Sequence, residues 1–216
     1  MSDGMALKIY RGRGSPFAWR VMACAEEKGV LYQAETLDAS KKEHKAPEYL
    51  AINPRGQLPS LVDGDIVVCE SLAALLYLDE AYPEHPLLPS ERKERALVFQ
   101  RSVEISNLQD KALPVLHLKR SNGDPAGVQK AIEALKGELK LWEEHTKHGF
   151  AVGSKFTLAD TAVGPFVLSL RRYGASLKDY PNLAKYDETI RARPAFQKTV
   201  PPQWLESPDL DWLSDV

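Results

Sequence analysis

Cysteine is scarce: Cys24 and Cys69 are the only two in 216 residues. Two cannot build a disulfide-stapled scaffold, and their separation fits neither a CxxC redox pair nor a zinc site, so no metal is expected. Both are expected to behave as small buried hydrophobes. Long apolar runs are also missing, and no window nears the 18 or so residues that a membrane span requires. The opening stretch MSDGMALKIY lacks the basic segment, apolar run and small-residue cleavage site of a secretory signal. A cytoplasmic protein with no membrane partner is therefore expected. Charge of one sign is lacking too: 28 Lys and Arg meet 30 Asp and Glu, mixed along the chain, for a formal net charge of −2. A nucleic-acid partner would need a basic face, which this balance does not supply.

Short apolar and alternating runs dominate the first third: LKIY (7–10), LYQAETL (31–37), and PSLV with IVVC joined through Asp63-Gly64-Asp65, a hairpin signal. Between the first two lies SPFAWRVMACAEEKG, where Phe17, Ala18, Val21, Met22 and Ala25 form one helical stripe and Gly29 offers a stop. Strand, helix and strand in succession predict a parallel pair with a crossover. A second helix should start near Ser71 and end before Pro83. The stretch PEHPLLPS (83–90) carries three prolines and reads as an extended linker. Beyond it no strand pattern appears. Val128, Ile132, Leu135, Leu139 and Trp142 recur at helical steps, and TLADTAVGPFVLSLRRYG opens with Thr157 three residues before Asp160, a capping-box spacing. The second of these segments is apolar on most faces and should be the central helix of a bundle.

Ser15 stands at the mouth of the first helix with Pro16 next, a favoured N-cap followed by a favoured first helical residue. The same place can hold an anion, because free N–H groups and the positive end of the helix dipole converge there. A serine hydrolase is a poor fit, since GRGSPF is not a G-x-S-x-G elbow and the five histidines form no triad pattern. Glu70 and Ser71 stand at a second helix mouth, where a carboxylate could dock or Ser71 could simply cap.

The segments GRGSPFAWRVMACAEEKG, HKAPEYLAINPRGQLPSLVDGD, ESLAALLYLDEAYP and FTLADTAVGPF, in that order, resemble the cytosolic glutathione S-transferase family over nearly the whole chain. The resemblance is greatest to serine-type classes (rho, theta and phi). It implies an α/β plus all-α fold: a thioredoxin-like glutathione-binding domain over 1–83, a linker at 84–90, and an all-helical domain over 91–216 with the hydrophobic-substrate site. It also implies a homodimer that conjugates glutathione, the co-substrate, to hydrophobic electrophiles.

By that resemblance Ser15 is the catalytic hydroxyl that hydrogen-bonds the glutathione sulfur. Tyr10 is the alternative, disfavoured because a one-residue offset on a strand points a side chain to the opposite face. Leu58, before a cis-Pro59, would offer its backbone to the cysteinyl part; Glu70 and Ser71 would hold the γ-glutamyl end; and His44, Lys45 and Gln57 would meet the glycine carboxylate. Thr157 and Asp160 would be structural, and Arg20 carries no assigned role. The segment from Leu108 to Leu116 and Trp204 are candidates for the electrophile shelf. The competing function is a glutathione-binding, ligand-storing or assembly module of the same fold without transferase turnover.

Overall fold

Leu7–Arg11 forms β1, the strand about which the first unit of this computed structural model is built; residues 7–206 and 209–216 are described. Alternation decides its faces: Leu7 and Ile9 are buried, while Lys8 and Tyr10 are partly exposed. Helix α1 (Pro16–Glu27) follows, burying every residue from Ala18 to Ala25 and ending ahead of Gly29. Strand β2 (Tyr32–Thr36) returns parallel to β1, as the strand-helix-strand pattern requires. A 3₁₀ turn (Glu43–Lys45) and the short α2 (Pro47–Leu50) lead to β3 (Ser60–Asp63) and β4 (Ile66–Val68). The register pairs Asp63 with Ile66, so Gly64-Asp65 is a two-residue loop, with Gly64 at the positive φ that such a turn requires. The sheet order is β2-β1-β3-β4, with β3 antiparallel to β1 and to β4, and α3 (Ser71–Ala81) follows.

The second unit is helical: α4 (Arg92–Arg120), α5 (Pro125–His145), α6 (Leu158–Arg172) and α7 (Pro181–Arg191), with α4 packed on α5 and α6. Helix α6 is the central one, buried at every residue but Arg171. Its first turn is closed by the expected capping box, since the Asp160 carboxylate accepts from Thr157 N–H at 2.7 Å and from Ala151 N–H at 2.8 Å. Burial raises the Asp160 carboxyl to about 6 against those donors. No helix among the described residues is long and apolar enough to cross a membrane.

Two short helices follow: α8 (Pro194–Thr199) and α9 (Pro202–Glu206). The chain divides between Leu87 and Leu88, and Pro194–Glu206 rejoins the first unit, although the sequence reading assigns all of 91–216 to the helical domain. The physical reason is Trp19 on α1. Its indole N–H donates to Thr199 Oγ1 at 3.0 Å, and its ring meets Phe196 and Trp204 edge-on with centroids 6.1 and 5.1 Å apart. The expectation of two buried cysteines holds for Cys24 alone; Cys69 is half-buried at the end of β4, its thiol 3.6 Å from the Ile52 carbonyl.

Candidate active site

Ser15 is the N-cap of α1, with extended backbone (φ −85°, ψ 117°) and Pro16 after it. Its Oγ accepts from Ala18 N–H at 3.4 Å, beyond the usual range for such a bond, so the cap is weak and the hydroxyl remains available. The first turn of α1 carries no acidic residue to offset the positive end of the helix dipole. The hydroxyl faces an open cleft of about 770 Å³, lined also by Gly12, Leu37, His44, Leu58 and Gln203.

His44 sits in the 3₁₀ turn with Nδ1 buried and without a hydrogen-bond partner among the described residues. A buried polar nitrogen left unpaired is costly, and such atoms are few in native proteins. Lys45 points elsewhere, its ammonium donating to the Arg55 carbonyl at 2.9 Å. The Leu58–Pro59 peptide is cis, with Pro59 buried. Gln57 is exposed, and its carbonyl accepts from Tyr49 Oη at 2.6 Å and Asn53 Nδ2 at 2.8 Å, which anchors the backbone just before Leu58.

At the second helix mouth, Glu70 is the N-cap residue of α3, but its carboxylate turns outward to Arg55 at 3.1 Å in an exposed ion pair worth little by itself. Ser71 is buried, and its Oγ accepts from both Nε (3.0 Å) and Nη2 (2.6 Å) of Arg20. With two donors on its oxygen, Ser71 has only its O–H to offer, which makes it a hydrogen-bond donor. Burial pulls the Arg20 guanidinium down to about 10, opposed by the Glu70 carboxylate, so it remains cationic at neutral pH.

Of the residues singled out in the sequence, Ser15, His44 and Leu58 line one cleft; Lys45, Gln57, Pro59, Glu70 and Ser71 do not line it. Tyr10 does not line it either: its ring packs against Tyr49, centroids 5.5 Å apart. Trp204 lies against α1 beside Gly14, while Leu108 is core within the helical unit. Two contributions went unread. Arg20 fixes Ser71 from 51 residues away, and Gln203 reaches the cleft from α9, so neither left a local pattern to find. Among the described residues no group of three or more His, Cys, Asp or Glu could hold a metal ion.

Residues 5–80 match the family model of the glutathione S-transferase N-terminal domain, and residues 108–194 that of the C-terminal domain. Glutathione S-transferase A of Pleuronectes platessa is 39% identical over 95% of this chain and 96% of its own length. A glutathione S-transferase from the Antarctic clam Laternula elliptica is also 39% identical, with a TM-score of 0.93 over 97% of this chain and 99% of that one. The Phanerochaete chrysosporium glutathione transferase URE2P6, solved in complex with oxidized glutathione, is 29% identical with a TM-score of 0.82, covering 95% of this chain and 98% of its own. A thioredoxin-like first unit and a helical second unit, matched along their length by these relatives, show that this chain belongs to the cytosolic glutathione S-transferase family of enzymes.

Proposed function

We propose that the Ser15 cleft binds glutathione and delivers its thiolate to small hydrophobic electrophiles, in the manner of the serine-type classes. The observation that carries this reading is the meeting in one cleft of a weakly capped hydroxyl at a helix N-terminus and His44, whose buried Nδ1 has no hydrogen-bond partner among the described residues. The glycine carboxylate of the tripeptide would complete His44 Nδ1, with Lys45 and Gln57 alongside. The Leu58 backbone, next to Pro59, takes the cysteinyl part. Ser71, primed as a donor by Arg20, and Glu70 take the γ-glutamyl end. The complex of URE2P6 with oxidized glutathione supports a tripeptide site in this fold.

A free thiol is mostly protonated at neutral pH and is then a poor nucleophile. The Ser15 hydroxyl donates to the sulfur, and the α1 N-terminus adds its positive end, so the thiol loses its proton to solvent more readily. The thiolate then attacks the electrophilic carbon: a carbon–sulfur bond forms and, for a haloarene, the halide leaves with its electron pair. Serine stays neutral throughout. The protein works as a cytoplasmic homodimer in detoxification; exposed Ile66 and Val67, on opposite faces of β4, and Leu76 on α3 leave apolar side chains on the first unit that a second copy can cover.

Retention on immobilised glutathione, followed by initial rates with an activated chloroarene, tests the reading. Retention with turnover is expected. Retention without turnover would instead favour a ligand-storing or assembly module, and no retention would overturn both. Sedimentation of the free protein at twice the chain mass is the expected sign of the homodimer.

A further inference from the structure

The cleft has a wall that its assigned residues do not explain. Gln203 lines it from α9, and its carboxamide lies so close over the turn before Ser15 that a Cβ built on Gly14 would stand 2.5 Å from Gln203 Oε1. With Oε1 the atom nearest Gly14, the N–H₂ group stands on the other branch of the carboxamide, and no described residue accepts from its two N–H donors. Its position is held all the same. Arg13 pairs with Glu206, Lys198 with Glu26 at 2.8 Å, and Trp19 is bonded to Thr199 and packed on Trp204. Those ties come from both ends of the segment and fasten it to α1 and to the turn that carries Ser15. A donor without a partner among the described residues, on a segment held beside a nucleophile's seat, can answer charge that develops on the partner being attacked.

We infer that Gln203 is a specificity residue of the Ser15 cleft, donating to an oxygen of the electrophile and favouring acceptors whose reactive carbon is conjugated to a carbonyl or nitro group. The inference rests on the proposed thiolate transfer. When the sulfur adds to such a carbon, the new carbon–sulfur bond pushes an electron pair of the conjugated system onto the oxygen. An enone becomes an enolate that later takes a proton from water; a nitrohaloarene passes the pair to its nitro oxygens and then expels halide. In both cases oxygen gains charge at the transition state, where a donor accelerates the step. Direct displacement of halide from an alkyl iodide builds no such oxygen charge and draws nothing from Gln203.

The test compares the parent protein with Gln203→Met, which keeps length and loses the donors, and Gln203→Glu, which keeps shape and brings a negative charge. For each, kcat/KM is measured with an enone, a nitrochloroarene and an alkyl iodide at saturating glutathione. The ratio of either oxygen-bearing acceptor to the iodide should fall about tenfold in Gln203→Met, the scale of one hydrogen bond, and further in Gln203→Glu. Gln203 is exposed, so both variants should fold, and an unchanged melting temperature checks this. An unaltered ratio in both variants, whether rates hold or all fall together, overturns the inference while leaving the thiolate reading intact. No turnover of any acceptor by the parent protein would remove that reading and this inference with it.

Discussion

Replacing Ser15 by alanine should separate catalysis from stability. In the free protein its Oγ makes one long bond, 3.4 Å from Ala18 N–H, so the lost cap falls at the low end of the usual scale, about 0.5 kcal/mol. For a chain of this size that lowers Tm by only about 1–2 °C. If, as proposed, the Ser15 O–H donates to the developing thiolate of bound glutathione, that hydrogen bond to a charged group contributes about 1.5–3 kcal/mol. The expected loss in kcat/KM is therefore roughly 10- to 150-fold, and the sulfur pKa of the bound tripeptide should rise by about one to two units. Initial rates with an activated chloroarene read the first quantity, and ultraviolet titration of the thiolate in the complex reads the second. Tyr10→Phe should leave both unchanged, because that ring packs on Tyr49 away from the cleft. If Ser15→Ala keeps its rate within about twofold, or if Tyr10→Phe causes the loss, the hydroxyl has been misassigned.

Arg20→Leu should raise the KM for glutathione more than it lowers kcat, because Ser71 then loses both donors that commit its O–H outward; an unchanged KM with lowered kcat would contradict that role. Lys28→Met should destabilise the protein by about 3–5 kcal/mol in denaturant titration, since Lys28 Nζ is buried 2.8 Å from Asp79, whose buried carboxylate would lose its cationic partner while keeping the neutral Leu87 N–H at 2.7 Å. Asp160 gives a pH signature. Its carboxyl is raised from 3.8 to about 6 in the folded state, so its favourable contribution is full below about 4 and is lost as pH rises through 6. Two units correspond to about 3 kcal/mol. The stability difference between the parent and Asp160→Asn should therefore shift in the parent's favour from pH 7 to pH 4.5; a flat difference refutes the assignment.

Signals that act over a few residues were readable. The hairpin through Gly64-Asp65, the Thr157 capping box and the Ser15-Pro16 helix start each follow from local backbone chemistry, and all three stand as expected. Helix α4 was harder to read because Ser102 and Ala112 interrupt its buried stripe of Val98, Ile105, Leu108 and Val115, while Phe99, Val103 and Leu113 place apolar side chains on its exposed side. Pro114 inside the helix weakens the pattern further. Ser15, His44 and Leu58, which line the cleft, were singled out through motif order, whereas Gln203 lines it from more than 140 residues on, where a lone glutamine on a five-residue helix carries no signature. The partnership of Trp19 with Thr199 spans 180 residues and is equally silent in sequence.

That long-range partnership bears on the order in which the chain can be finished. During synthesis the four strands and their first three helices can assemble once Ala81 has emerged, yet Trp19 must wait for Phe196, Thr199 and Trp204 before its indole is covered. A fragment cut at Leu87 would hold the whole sheet and still expose a tryptophan beside Ser15. The thioredoxin-like part of this protein is thus not a portable cassette; one of its walls is translated only after the four long helices of the second unit.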